Sequence, residues 1–413
     1  SSDVCSSDLG IRPGTRRWFT NNILAGDLSD VVAGWRMRPG EKATLAAGFA
    51  FDGASVRFLK QEPPIVDGAG YATLADDAFV LRLDKGQVIA PQGGALDVAG
   101  SVLQIPNIRI KSAPMVLDVA TSGSITGTLA ILDQPPFQYL TKANLPVTLA
   151  DGRASVHAHV TLPLKPKIAP DEIAFDATAN LSRVRSSTLV KGRTLAASDL
   201  AVSVDRTGMQ IRGPATLDGV PLNGQFAQEF GPNRGPTQIT GRVNITPQAL
   251  ETFGIALPAR TVTGAGTGQL AVTLAKGAAP RFTLTSDLVG LGLSVPAIGY
   301  AKSRGSSGTL EVKGTLGANP AVERLSLRAP GLQATGAVSL TTGNQLDAAR
   351  LSRVVVGDWF DGAVTLRGRG RGRGIGVEVL GGALNLSRAS FGGSSGGAGG
   401  GSGQGLPISV RLD

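Results

Sequence analysis

Alternation is the feature that most constrains this chain. Segment after segment reads apolar, polar, apolar: Phe79-Val80-Leu81-Arg82-Leu83, Val156-His157-Ala158-His159-Val160, Ile173-Ala174-Phe175-Asp176-Ala177, Leu200-Ala201-Val202-Ser203-Val204 and Leu270-Ala271-Val272-Thr273-Leu274. Strand side chains point to opposite faces with a period of two, so each segment owns one apolar face and one wetted face. Repeated along 413 residues, the pattern predicts a mainly β protein. The expected architecture is a long, curled, mostly antiparallel sheet forming an open apolar groove, with a few short helices. About 25 strands at roughly 4.8 Å spacing would extend on the order of 120 Å, too far to close into a small barrel.

The apolar side is aliphatic. Hydrophobic residues make up 42% of the chain and aromatics only 5%. Glycine, at 57 residues, is about twice its usual share, as many tight turns require. Lys and Arg outnumber Asp and Glu by 40 to 31, a net charge of +9. That excess suits a solvated basic surface, and equally an attraction to anionic headgroups or nucleic acid.

Residues 1–9 are set aside, because Ser2–Leu9 matches the translation of a sequencing adapter. Cys5, the only cysteine, is then expected to be non-native. The natural chain is expected to begin upstream of Gly10 and to continue past Asp413. No run of 18 apolar residues marks a membrane-spanning helix. The chain divides by pattern into 10–260, a β-groove region; 261–391, a β region continuing the groove; and 392–413, a Gly/Ser-rich loop leading into a truncated strand.

Helices are expected in three places. Thr15–Ala25 carries a cap, an apolar stripe (Trp18, Phe19, Ile23, Leu24) and Gly26 as a stop. Asp133–Leu140 opens with a capping residue and an early proline. Thr246–Gly254 has Thr as cap, Pro247 in the first turn and glycine at its end. Strands are expected elsewhere, including Ile108–Ile110 and Ile125–Leu132, with Asp52-Gly53 between two strand segments, a break at Pro63-Pro64 and a turn at Asp67-Gly68.

Chemistry-bearing patterns are sparse. His157 and His159 share one face of a strand, but two histidines without a third ligand fall short of a zinc site, and exposed polar positions are the plainer reading. Gly392-Gly393-Ser394-Ser395-Gly396 matches G-x-S-x-G inside a glycine run, without the strand and helix that a nucleophile elbow needs. No phosphate-binding or dinucleotide fingerprint has the right context. No catalytic, cofactor-binding or metal-ligating residue is therefore assigned. Arg367, Arg369, Arg371 and Arg373 alternate with glycine between two strand patterns. Three readings stay open: a solvated hairpin end, a contact for lipid headgroups, or a nucleic-acid segment lacking aromatics for base stacking. Candidates for a lipid-holding groove are Phe49, Phe51, Phe79, Leu81, Leu83, Val156, Val160, Phe175, Val202 and Val204.

Three stretches early in the chain carry a family resemblance: Phe49-Ala50-Phe51-Asp52-Gly53-Ala54-Ser55-Val56-Arg57-Phe58, Pro63-Pro64-Ile65-Val66-Asp67-Gly68-Ala69-Gly70-Tyr71, and Phe79–Gly86. With Ile125–Leu140 and Ala177–Leu181 in the same order, residues 10 to about 230 resemble the YhdP-type branch of the AsmA-like superfamily. Gly381-Gly382-Ala383-Leu384-Asn385-Leu386-Ser387-Arg388-Ala389-Ser390-Phe391 is similar to the AsmA-like C-terminal region. The likeness is one of pattern and order. It implies a periplasmic protein anchored in the inner membrane of a Gram-negative envelope. Its curled sheet would carry phospholipid between the inner and outer membranes, with no catalytic residues. The rival classes are a structural scaffold with a dry packed core, and a glycan-active enzyme, for which no carboxylate signature is visible.

Overall fold

The computed structural model describes residues 17, 20–37, 44–57, 62–135, 138–165, 168–255, 257–317, 320–341, 346–368, 376–385, 387–388 and 408–411. The protein is 63% strand and 8% helix, and its main sheet is antiparallel apart from one parallel pairing near the C-terminus. The chain forms two compact units, 1–213 and 214–413. Among the described residues no helix is long and apolar enough to cross a membrane.

The first unit is a meander. Its strands are β1 (Ile23–Arg36), β2 (Thr44–Val56), β3 (Ile65–Ala75), β4 (Ala78–Ile89), β5 (Ala95–Asp97), β6 (Val102–Ile105), β7 (Pro114–Ser124), β8 (Asp151–Pro163), β9 (Ala174–Ser186) and β10 (Leu195–Asp205). Neighbours in sequence pair antiparallel, with β5 and β6 both lying between β4 and β7. The strands are long because their Asp-Gly pairs do not end them. Gly53 (φ 59°) and Asp67 (φ 52°) sit inside β2 and β3, where the register shifts. An Asp-Gly pair supplies the left-handed backbone that a turn needs, and the same backbone makes a bulge. Asp52-Gly53, expected to separate two strand segments, and the expected turn at Asp67-Gly68 are therefore bulges. The β3–β4 turn is made instead by Asp76 (φ 49°) and Asp77 (φ 64°).

Four other expectations are corrected. Ile23 and Leu24 belong to β1, where Gly26 is an interior residue. Residues 17 and 20–22 are helical, while Thr15, Trp18 and Phe19 lie outside the described residues. Ile108–Ile110 is a turn, with Asn107 Oδ1 accepting from the Arg109 amide at 2.9 Å. Ile125–Leu132 is helix α1. Ser124 caps it, accepting from Gly127 N at 2.9 Å and donating to Gly93 O at 2.7 Å. Its apolar residues fit both periods: Ile125, Leu129 and Leu132 at helical spacing, Ile125, Leu129 and Ile131 by alternation. The cap decides for helix. Asp133 therefore ends α1 and does not begin a helix. Its carboxylate accepts from Leu140 N, Thr141 N and Thr141 Oγ1 at 2.9, 2.9 and 2.6 Å, fixing the short helix α2 (Tyr139–Lys142).

The division at 213/214 falls inside β11 (Gly208–Leu217). The second unit continues with β12 (Val220–Glu229), β13 (Thr237–Ile245), β14 (Val262–Gly264), β15 (Gly266–Leu274), β16 (Arg281–Ser286), β17 (Leu291–Val295), β18 (Tyr300–Lys302) and β19 (Thr309–Thr315). It ends with β20 (Ala321–Ala329), β21 (Leu332–Leu340), β22 (Leu346–Val356), β23 (Phe360–Arg367), β24 (Gly376–Leu384) and β25 (Ile408–Arg411). β12-β13-β15-β16-β19-β20-β21-β22-β23-β24 pair antiparallel in that order, and β25 adds parallel to β24. β14, β17 and β18 form a separate three-stranded sheet. Helix α3 (Pro247–Thr252) follows its sequence signals: Thr246 Oγ1 accepts from Ala249 N at 3.1 Å, and Gly254 (φ 80°) lies just past its end.

Candidate apolar groove

Directly opposed residues in an antiparallel ladder project to the same side. In the first unit one such row runs Phe49–Ala72–Leu81–Leu103–Leu117–Val160–Phe175. It crosses β2, β3, β4, β6, β7, β8 and β9, a span of about 29 Å at sheet spacing. Parallel rows flank it: Ala47–Leu74–Phe79–Ile105, Phe51–Gly70–Leu83, Val119–Ala158–Ala177–Val204 and Thr121–Val156–Ala179–Val202. All ten groove candidates therefore share one side of one unit. Leu83 is buried at 6% exposure, and the other nine are half-buried. Each is shielded sideways by its neighbours and still presents part of its surface.

The row one residue over projects to the other side: Ala50–Tyr71–Arg82–Val102–Asp118–His159–Asp176–Asp205. Arg82, Asp118, His159, Asp176 and Asp205 are all exposed. His157 projects to this side too. His159 Nδ1 lies 2.6 Å from Asp118 Oδ1, and that hydrogen bond raises the imidazole above its ordinary range, with the nearby Asp176 carboxylate adding to it. Among the described residues no three or more His, Cys, Asp or Glu gather with metal-site geometry.

One end of the apolar side is covered by α1. Leu96 of β5 is buried there, and a methyl group added at Gly127 would meet its Cδ2 at 3.0 Å. Ile125 and Ala130 are buried at the same end. Gly70, between Phe51 and Leu83, admits no larger residue. A Cβ there would lie 2.0 Å from the Arg82 carbonyl oxygen and 2.9 Å from Phe51 Cζ.

The second unit repeats the two-sided pattern. Its apolar row runs Gly224–Gly241–Leu270–Leu284–Val312–Leu325–Gly336–Leu351–Val364–Val379. Its opposite side carries Asn223–Arg242–Gln269–Thr285–Glu311–Ser326–Thr335–Arg353. A polar cleft on that side includes Glu311 and Asp287. Both carboxylates are engaged. Glu311 pairs with Lys313 and Arg324 at 3.2 and 3.6 Å, and Asp287 Oδ1 accepts from Val289 N at 3.0 Å.

The apolar side of this unit is not uniformly open. Leu332, Ala334, Val354, Val356 and Val364 form a buried cluster with Trp359 and with Tyr300 of the small sheet. No single residue of β14, β17 or β18 signals this role in sequence, because their alternation reads like every other strand. Leu103 of β6 likewise belongs to the apolar row, between Leu81 and Leu117, without being among the candidates read from the sequence.

Of the four arginines singled out, Arg367 is exposed, with Nε 3.4 Å from Glu378 Oε2. Arg367 is opposed to Gly376, so the basic run joins two antiparallel strands. Arg369, Arg371 and Arg373 lie outside the described residues. No family model, curated protein or solved structure matches the chain.

Proposed function

We propose that this chain is a non-enzymatic lipid-transfer segment that holds phospholipid acyl chains against the apolar side of its sheet. The observation that carries the reading is the Phe49–Phe175 row and its flanking rows. They form a wide apolar surface, mostly half-buried and backed by a charged side facing water. Such a surface left to water is costly, and acyl chains fit it: each buried CH₂ contributes about 0.8 kcal/mol. None of the described residues in these rows is charged, so headgroups stay at the rim. Movement along it requires only similar affinity from row to row. With the resemblance described above, the reading extends to a periplasmic bridge between inner and outer membrane, anchored in the inner membrane, with phospholipid as its partner and no nucleic acid.

The second reading is a structural scaffold with a dry core. The cluster around Tyr300 favours it, since there the chain fills its own apolar side. Transfer of a fluorescent phospholipid between donor and acceptor liposomes separates the two. Lipid transfer predicts a several-fold acceleration by the protein, abolished by Leu81→Asp. An unaccelerated rate with folded protein favours the scaffold.

A further inference from the structure

We propose that the three-stranded sheet β14-β17-β18 is a built-in stop that closes the apolar side of the second unit to acyl chains over β20 to β24. This inference rests on the lipid-binding reading and adds where along the fold that binding ends.

The geometry of the small sheet is that of a cover. Val295 opposes Tyr300 and Leu293 opposes Lys302, so these four side chains share one side. Tyr300 belongs to one buried cluster with Leu332, Ala334, Val354, Val356 and Val364 of the main sheet, and Leu293, Val295, Leu327, Leu351 and Val379 pack against that cluster. Those main-sheet residues project to the apolar side, as the opposed pairs Ala334–Val354, Leu332–Val356 and Leu351–Val364 require. Protein side chains therefore already occupy the surface that lipid would need. In the first unit every residue of the Phe49–Phe175 row except Ala72 is half-buried, whereas Val354, Val356 and Val364 are buried.

The cover is also pinned. Lys302 is buried, and its Nζ donates to the carbonyls of Leu288, Leu291 and Ser303 at 2.9, 2.8 and 3.1 Å. An ammonium taken out of water is retained when its donors are all satisfied. Here it ties the loop before β17 to the strand that carries Tyr300. At the base, Gly308 N donates to Asp287 O at 2.8 Å, and β16 and β19 pair directly on either side. The excursion between them, which carries β17 and β18, is thus a closed loop on a sheet whose ladder does not depend on it, and β14 joins it from the segment before β15. Its attachment favours a fixed stop over a swinging lid.

The test uses the full chain and a phospholipid with a diazirine in its acyl chain, in liposomes of zwitterionic and anionic phospholipid. Cross-linked peptides are mapped by mass spectrometry. Wild-type protein should be labelled in β8 and β9, around Val160 and Phe175, with at least tenfold less label in β21 to β23. Two variants lift the stop: Tyr300→Ala, and replacement of residues 288–307 by a two-residue hairpin turn between β16 and β19. With folding verified by circular dichroism, either should raise β21–β23 labelling several-fold. Equal labelling of both regions in wild-type protein overturns the stop and leaves the lipid reading standing. Unchanged β21–β23 labelling in both folded variants also overturns the stop. No labelling in either region removes the lipid reading, and the stop with it.

Discussion

Phe49 and Phe175 stand at the two ends of one cross-strand row, joined through Ala72, Leu81, Leu103, Leu117 and Val160. Two phenylalanines far apart in sequence thus belong to one apolar surface. The link is strand register, because a slip by one residue at any strand would turn its side chains to the charged side.

The buried member of this surface should dominate stability. Leu83→Ala is expected to cost about 2–5 kcal/mol, the range for truncating a buried leucine. Its neighbour Arg82 is exposed and pairs with Asp84 at 2.8 Å. Arg82→Ala should change stability by less than about 1 kcal/mol. Urea unfolding followed by circular dichroism measures both, and equal costs would contradict the two-sided assignment.

Tyr300 offers a test of packing beneath the small sheet. It is buried at 6% exposure, and its hydroxyl has no hydrogen-bond partner among the described residues. Tyr300→Phe should be neutral or stabilising, since it removes an unpaired polar group. Tyr300→Ala should cost about 3–5 kcal/mol, as for other buried aromatics. A Phe variant as unstable as the Ala variant would show that the hydroxyl has a partner.

Alternation made the sheet legible, including the shared side of all ten groove residues, because period two specifies facing wherever a strand is regular. It could not locate bulges. Asp52-Gly53 and Asp67-Gly68 have the chemistry of a turn and the position of a bulge, and only the neighbouring strand distinguishes them. Nor could it separate Ile125–Leu132 from a strand, since both periods fit and Ser124 supplies the cap. The cover over Val354 and Val364 was illegible for a different reason. Which sheet a short strand joins is a tertiary choice, and β17 carries the same pattern as strands that stay in the main sheet.

The His159–Asp118 pair predicts a pH effect on the charged side. The hydrogen bond that the imidazole donates to Asp118 raises its folded value above 6.5, its ordinary value. The stabilisation is fully present below that ordinary value and is lost as pH rises through the raised one. Nuclear magnetic resonance titration of His159 should give a midpoint above that of a free histidine. Asp118→Asn should lower it toward the ordinary value, with the remaining elevation due to Asp176. A midpoint unmoved by Asp118→Asn would contradict the pairing.

The basic run from Arg367 to Arg373 should bind anionic liposomes weakly, by at most about 1 kcal/mol per arginine. Replacing all four arginines by serine should reduce flotation with anionic liposomes and leave neutral ones unaffected. The effect should fade toward 1 M salt, where the screening length falls to about 3 Å. A single-stranded DNA shift run beside it covers the alternative. Tight DNA binding lost in the variant, with liposome binding unchanged, would reassign the segment to nucleic acid.

Mass spectrometry of lipid extracted from the purified protein tests the central claim most directly. Wild-type protein should carry co-purified phospholipid. Leu81→Asp and Val202→Arg each place a charge on the apolar side, where an unpaired charge under acyl chains costs several kcal/mol. Both variants should remain folded, because both positions are half-buried, and both should lose most of the lipid. Folded wild-type protein free of lipid, or variants carrying as much as wild type, would contradict a lipid-holding groove.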